Sequence, residues 1–176
     1  DGLLIQLDSS HPGIRHAASR VMAFVPRDRY RQLLDRAVRR SPRAAVAATL
    51  GRTLRTGKRL DRPALDLARH VLSINVSVDL KRDTARLAQL ALGDVGPGRG
   101  TAAVFDGYNA GISSEQLKPL VSGIATTIVE LFPTGDPRLD FELARLAAMA
   151  RPAEPKLLSR FLATITPRSS PIDDIH

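Results

Sequence analysis

The sequence predicts an all-α fold, a right-handed α-solenoid of about four to five antiparallel helix pairs. Three observations lead there. Apolar residues recur at i, i+3, i+4 and i+7 along most of the chain, the spacing of a single buried helix stripe. The segments that carry this spacing are joined by turns of a few residues, which sets neighbouring helices antiparallel. The second helix of a pair also opens in a recurring way, on a cap residue followed by proline at Pro12, Pro42 and Pro137, or with Asp79 at the equivalent place. The first two intervals between these starts are 30 and 37 residues, and the last is 58. A lone helix pair cannot bury both its faces, so its neighbours must stack on it.

Taken in order, the first pair joins residues 1–8 to 12–25. In PGIRHAASRVMAFV the expected core stripe is Ile14, Ala17, Ala18, Val21, Met22 and Val25, with Ser9 or Ser10 as cap. The second pair is 28–40 with 42–55. It carries Tyr30, Leu33, Leu34, Ala37 and Val38 on one helix, and Ala45, Ala48 and Leu54 on the other. The third, 61–75 with 79–92, offers Leu65, Ala68, Val71 and Leu72, then Leu80, Thr84, Leu87, Ala88 and Ala91. Residues 93–113 break the pattern with six glycines and a proline, and read as an insertion loop. Helices resume over 115–132, with Ser113 or Ser114 as cap and Pro119 expected near the first turn, and over 137–150, capped by Asp136. A last pair joins 154–166 to a helix from residue 171 onward.

Length and composition fit one helical domain. The chain has 176 residues, enough to bury a core. It is 43% hydrophobic but only 4% aromatic, with no Trp, so the apolar mass is Ala, Leu, Val and Ile, suited to close helix contact. No apolar run approaches the roughly 18 residues of a membrane span, and no segment has signal-peptide layout. Cysteine is absent, which excludes disulfides, thiolate metal sites and a Cys nucleophile. The chain opens on Asp1 and ends in PIDDIH, as if a helix were starting, so we expect a segment of a longer protein.

The formal charge of +8 is regional. Residues 15–69 hold 15 Lys+Arg against 4 Asp+Glu, a balance of +11; the remainder, with 11 bases and 14 acids, is at −3. The densest part is RDRYRQLLDRAVRRSPR, where Arg27, Arg29, Arg31, Arg36, Arg39, Arg40 and Arg43 surround an apolar stripe. On a helix most of these arginines fall on the outer faces. The expectation is a solvated or partner-docking face. The alternative is sequence-independent binding of nucleic acid through residues 15–69, with steep salt dependence. Against it, the run offers only Tyr30 as an aromatic.

The stretch LLIQLDSSHPGIRHAASRVMAFV resembles a HEAT repeat, with Asp8 in the turn, Pro12, then Ile14, Arg15 and the alanines Ala17 and Ala18. The resemblance implies an armadillo-like superhelix in which Asp and Arg form a ladder between adjacent repeats. Asp8 and Arg15 carry that role here, with weaker echoes at Arg82 and at Asp136; in the second unit Ala45 replaces the ladder Arg. More loosely, VFDGYNAG, LFPTGDPRLDFELARLAAM and SSPIDDIH resemble the helical-repeat region of large exported bacterial proteins that carry a c-type haem module. That likeness implies a spacer or docking scaffold, with the redox chemistry on another domain.

Other features read as structural. GDVGPGRG follows a helix and lacks the Lys-Ser/Thr of a phosphate loop. Phe105 and Tyr108, at i and i+3 in the insertion, tuck back on the core or form a recognition knob. The four histidines show no metal-ligand spacing. No GxSxG elbow or other catalytic constellation is present, so we expect a non-enzymatic scaffold that takes no cofactor and binds a protein or the neighbouring domains of its own chain.

Overall fold

The computed structural model describes residues 1–56, 61–93, 114–152 and 154–166. The Phe105/Tyr108 knob, the insertion beyond Gly93 and the helix expected from residue 171 lie outside the described residues. Among the described residues every regular element is an α-helix. They are α1 (Gly2–Leu7), α2 (Pro12–Phe24), α3 (Arg27–Arg40), α4 (Pro42–Thr56), α5 (Arg62–Ser73), α6 (Val78–Ala91), α7 (Ser114–Leu131), α8 (Pro137–Ala150) and α9 (Pro155–Thr164). None of the described helices is long and apolar enough to cross a membrane.

Short polar side chains set four of the described helix starts, because each accepts a bond from a backbone N–H that the first turn leaves unpaired. Ser41 Oγ accepts from Ala44 N at 3.0 Å ahead of α4, and Asp61 Oδ1 from Ala64 N at 3.1 Å ahead of α5. Asp136 Oδ1 accepts from Leu139 N at 2.9 Å ahead of α8. Two starts differ from expectation. His11, not Ser9 or Ser10, is the residue before α2, which starts at Pro12 without a side-chain cap bond, and Ser9 Oγ accepts from His11 N at 3.2 Å. The cap of α6 is Ser77, which moves that helix start one residue ahead of Asp79. Pro119 falls in the second turn of α7, since the helix begins at Ser114.

The helices pack in succession. α4 lies against both α2 and α6, and α6 against both α4 and α8. Each of α1, α3, α5 and α7 packs on the helix that follows it. α5 also meets α7, whereas α3 and α5 do not pack closely on each other. This placement explains burial. α4, flanked on two sides, is buried without interruption from Ala44 to Gly51, and α6 from Asp83 to Leu92 except at Arg86. The core divides accordingly into a small alanine-rich cluster around Leu4, Leu7, Met22, Tyr30 and Ala48, and a larger leucine-rich one that runs from Val46 to Leu157.

Several expected core positions are exposed instead. On α2 the buried residues are Arg15, Ala18, Ser19 and Met22, while Ile14 is 46% and Val21 52% exposed, and Ala17 is exposed as well. The stripe that faces α4 is thus rotated from the apolar one. The two helices approach closely there: a Cβ on Gly51 of α4 would lie 2.5 Å from Met22 Cβ and 2.6 Å from Ser19 O, so position 51 admits glycine alone. Val38 and Leu54 are likewise exposed, each pointing away from the α3–α4 contact.

Candidate interaction surface

α3 is amphipathic in an extreme way. Tyr30 and Ala37 are buried, Leu33 and Leu34 half-buried, and nearly all of the remaining circumference is charged. Arg27, Arg29, Arg31, Arg36, Arg39 and Arg40 are exposed, and Arg43, in the first turn of α4, is half-buried. The arginines of the run divide by task. Arg36 bonds the Asp1 carboxylate, Arg40 Nε reaches Asp8 Oδ2 at 2.9 Å, and Arg43 Nη1 reaches Asp8 O at 3.5 Å. These three tie the second helix pair to the first. Arg39 Nε bonds Asp35 O of its own helix, and Arg27, Arg29 and Arg31 stand in solvent.

Tyr30, the aromatic within the run, faces the core. It is 6% exposed and its hydroxyl donates to Ala48 O at 3.3 Å. Burial pushes that hydroxyl up to about 12, against the lowering effect of the nearby Arg52 charge. It is therefore not placed to stack on a nucleobase.

Because α3 and α5 part from each other, an open groove of about 590 Å³ runs between them. Leu34 and Val38 form one wall, Pro63 and Leu67 the other, with Thr49 of α4 at the floor and Arg39 at the rim. Arg52, also at the floor, is held by Asp61 through two bonds of 2.9 and 2.5 Å.

The expected ladder residues separate. Asp8 links the first pair to the second, since it also accepts from Ser41 Oγ at 2.5 Å. Arg15 reaches further: its Nε and Nη2 donate to Asp83 Oδ2 of α6 at 3.1 and 2.6 Å, and its Nη1 donates to the carbonyls of Ser9 and Ser10 at 3.0 and 2.9 Å. His16 Nε2 completes this knot at 3.0 Å from Asp83 Oδ1. Arg82 pairs within its own helix, with Asp79 at 2.9 Å, and Asp136 serves as the cap of α8. A further link, Gln89 to the Glu142 carboxylate at 2.7 Å, joins α6 to α8 and had no sequence signal beyond a Gln on an apolar face.

Sequence reasoning also missed Phe24, which is 87% exposed at the end of α2 beside the arginine run. Its spacing from Val21 and Ala17 was the available signal, but that stripe read as core. Comparison of the chain with family models, with curated proteins and with solved structures finds no match.

Proposed function

We propose that this chain is a non-catalytic scaffold, a run of HEAT-like helix hairpins stacked as an α-solenoid, that offers the outer face of α3 and the groove beside it to a protein partner or a neighbouring domain of its own chain. The observation that carries this reading is the succession of contacts from α2 through α4 and α6 to α8, with a preceding helix laid on each. An array of that kind is stabilised by nearest-neighbour interfaces, so its end units are separable. A chain shortened to residues 27–176, with Asp83→Ser to avoid an orphaned carboxylate, is expected to keep a cooperative helical melt at a lowered midpoint. Loss of any cooperative transition would rule out stacking. The looser likeness adds a setting, an exported haem protein; a haem-attachment CxxCH elsewhere in the parent coding sequence would support it.

Sequence-independent nucleic-acid binding is the second reading, favoured by the solvated Arg27, Arg29 and Arg31 and by the exposed Phe24. The burial of Tyr30 and the ties of Arg36, Arg40 and Arg43 to the first pair weigh against it. Fluorescence anisotropy with labelled single- and double-stranded oligonucleotides at about 150 mM salt separates the two. The scaffold reading expects no change at micromolar protein; saturable binding that Arg29→Glu/Arg31→Glu abolishes would replace it.

A further inference from the structure

We propose that the outer face of α2 is a docking surface for an amphipathic, acid-edged α-helix of a protein partner. Ile14, Ala17, Val21 and Phe24 follow one another at i, i+3, i+7 and i+10, so they form a continuous stripe about 15 Å long. All four are exposed, Phe24 the most of any large apolar residue in the described chain at 87%. The stripe lies on the side of α2 turned away from the Ser19–Met22 contact with α4, and Ile5 of α1, 59% exposed, extends the apolar exposure of the first pair.

Charge identifies the kind of helix. α2 carries no acidic residue. Arg20 lies one turn before Phe24 on the same exposed surface, and Arg27 opens α3 three residues after it. Arg55 is held at the C-terminal end of α2 by a 2.6 Å bond from its Nη1 to Val25 O. Phe24 is thus an aromatic anchor with arginines around it, the composition enriched at binding hot spots. A second copy of this face would bring Arg20 against Arg20, and a single strand of nucleic acid would use Phe24 but leave three aliphatic positions of the stripe uncovered. An apolar helix edged with Glu or Asp meets both features. This surface is distinct from the α3–α5 groove, and its proposal does not rest on that groove being occupied.

Fluorescence anisotropy with two synthetic helices tests it, one with a leucine stripe flanked by Glu and the other with the same stripe flanked by Lys. The Glu-flanked helix is expected to bind at least about tenfold more tightly, a difference of about 1.4 kcal/mol, and more weakly as salt rises. Val21→Ser/Phe24→Ser and, separately, Arg20→Glu/Arg27→Glu are each expected to weaken it about tenfold, with the thermal melt unchanged because all four side chains are exposed. Arg29→Glu/Arg31→Glu on α3 leaves this binding in place, which separates the proposal from the scaffold reading of α3. Equal binding of both helices, no binding of either, or indifference to the Val21/Phe24 pair overturns it. So does a wild-type dimer in sedimentation that Val21→Ser/Phe24→Ser converts to monomer, or an oligothymidine probe that competes for these residues while the Glu-flanked helix does not bind.

Discussion

Arg15 and Arg36 are both arginines bonded to an aspartate of another helix or terminus, and they do opposite things. Arg15 is 2% exposed with its partner Asp83 at 7%, and its bonds are completed by two turn carbonyls. Arg36 and Asp1 have side chains 52% and 80% exposed. In the first region charge is an internal fastener, fully committed to holding α2 to α6 across an alanine-rich helix. In the second, a pair in water contributes little, because solvent screening and side-chain entropy offset the attraction. Arg15 is closed to solvent by its bonds, while Arg27, Arg29 and Arg31 of α3 stand in it.

Removing the internal fastener has the largest expected effect. Arg15→Ala leaves Asp83 buried with only the half-exposed His16 beside it, and is expected to cost about 3–5 kcal/mol of unfolding free energy in urea titration. Replacing both partners, as Arg15→Met/Asp83→Leu, is expected to recover most of that loss, because the apolar pair leaves no orphaned charge. If the single substitution costs under about 1 kcal/mol, the distinction between the two regions fails.

How the sequence reads follows from the same contrast. Helix positions and caps were legible because proline and Ser/Asp act locally, within one turn of where they stand; Ser41, Asp61 and Asp136 illustrate it. The inward face of α2 was legible only in part. Apolar spacing rightly included Ala18 and Met22 but also drew in Ile14 and Val21 and passed over Arg15 and Ser19, because the close approach of Gly51, 32 residues after Ser19, leaves no local trace. The resemblance singled out Arg15, yet its partner lies 68 residues on, past a unit whose ladder position is Ala45. Asp83 reads locally as one of two acids on α6. Long-range partners of this kind depend on packing that no local pattern encodes.

Tyr30 marks the boundary between the two regions and yields the next effect in size. The folded chain keeps its proton up to about pH 12, whereas the unfolded chain releases it near pH 10. Between those values the unfolded state binds fewer protons, so stability falls as pH rises, by about 2–3 kcal/mol over the window. Phenylalanine at this position removes that loss: the gap between Tyr30→Phe and wild type, measured by urea titration, is expected to shift in favour of the variant from about pH 10 upward. A gap that stays constant with pH would place the hydroxyl in water. Gly51→Ala comes third, at about 1–3 kcal/mol, since the new methyl meets the backbone oxygen of Ser19 and the Cβ of Met22, neither of which can swing aside.

The smallest effect is expected at the exposed pair of Arg36 and Asp1. Arg36→Ala severs the tie to Asp1 and is expected to change stability by no more than about 0.5 kcal/mol, with even that difference vanishing near 1 M salt. The reason is that both side chains already face water, so neither is left unsolvated when the other goes. A thermal melt of the variant at low and high salt checks this. A salt-independent loss would mean that Arg36 packs through its aliphatic stem on the first helix pair. It would then belong with Arg15 as part of the frame, and the solvated part of α3 would shrink to the end that carries Arg27, Arg29 and Arg31.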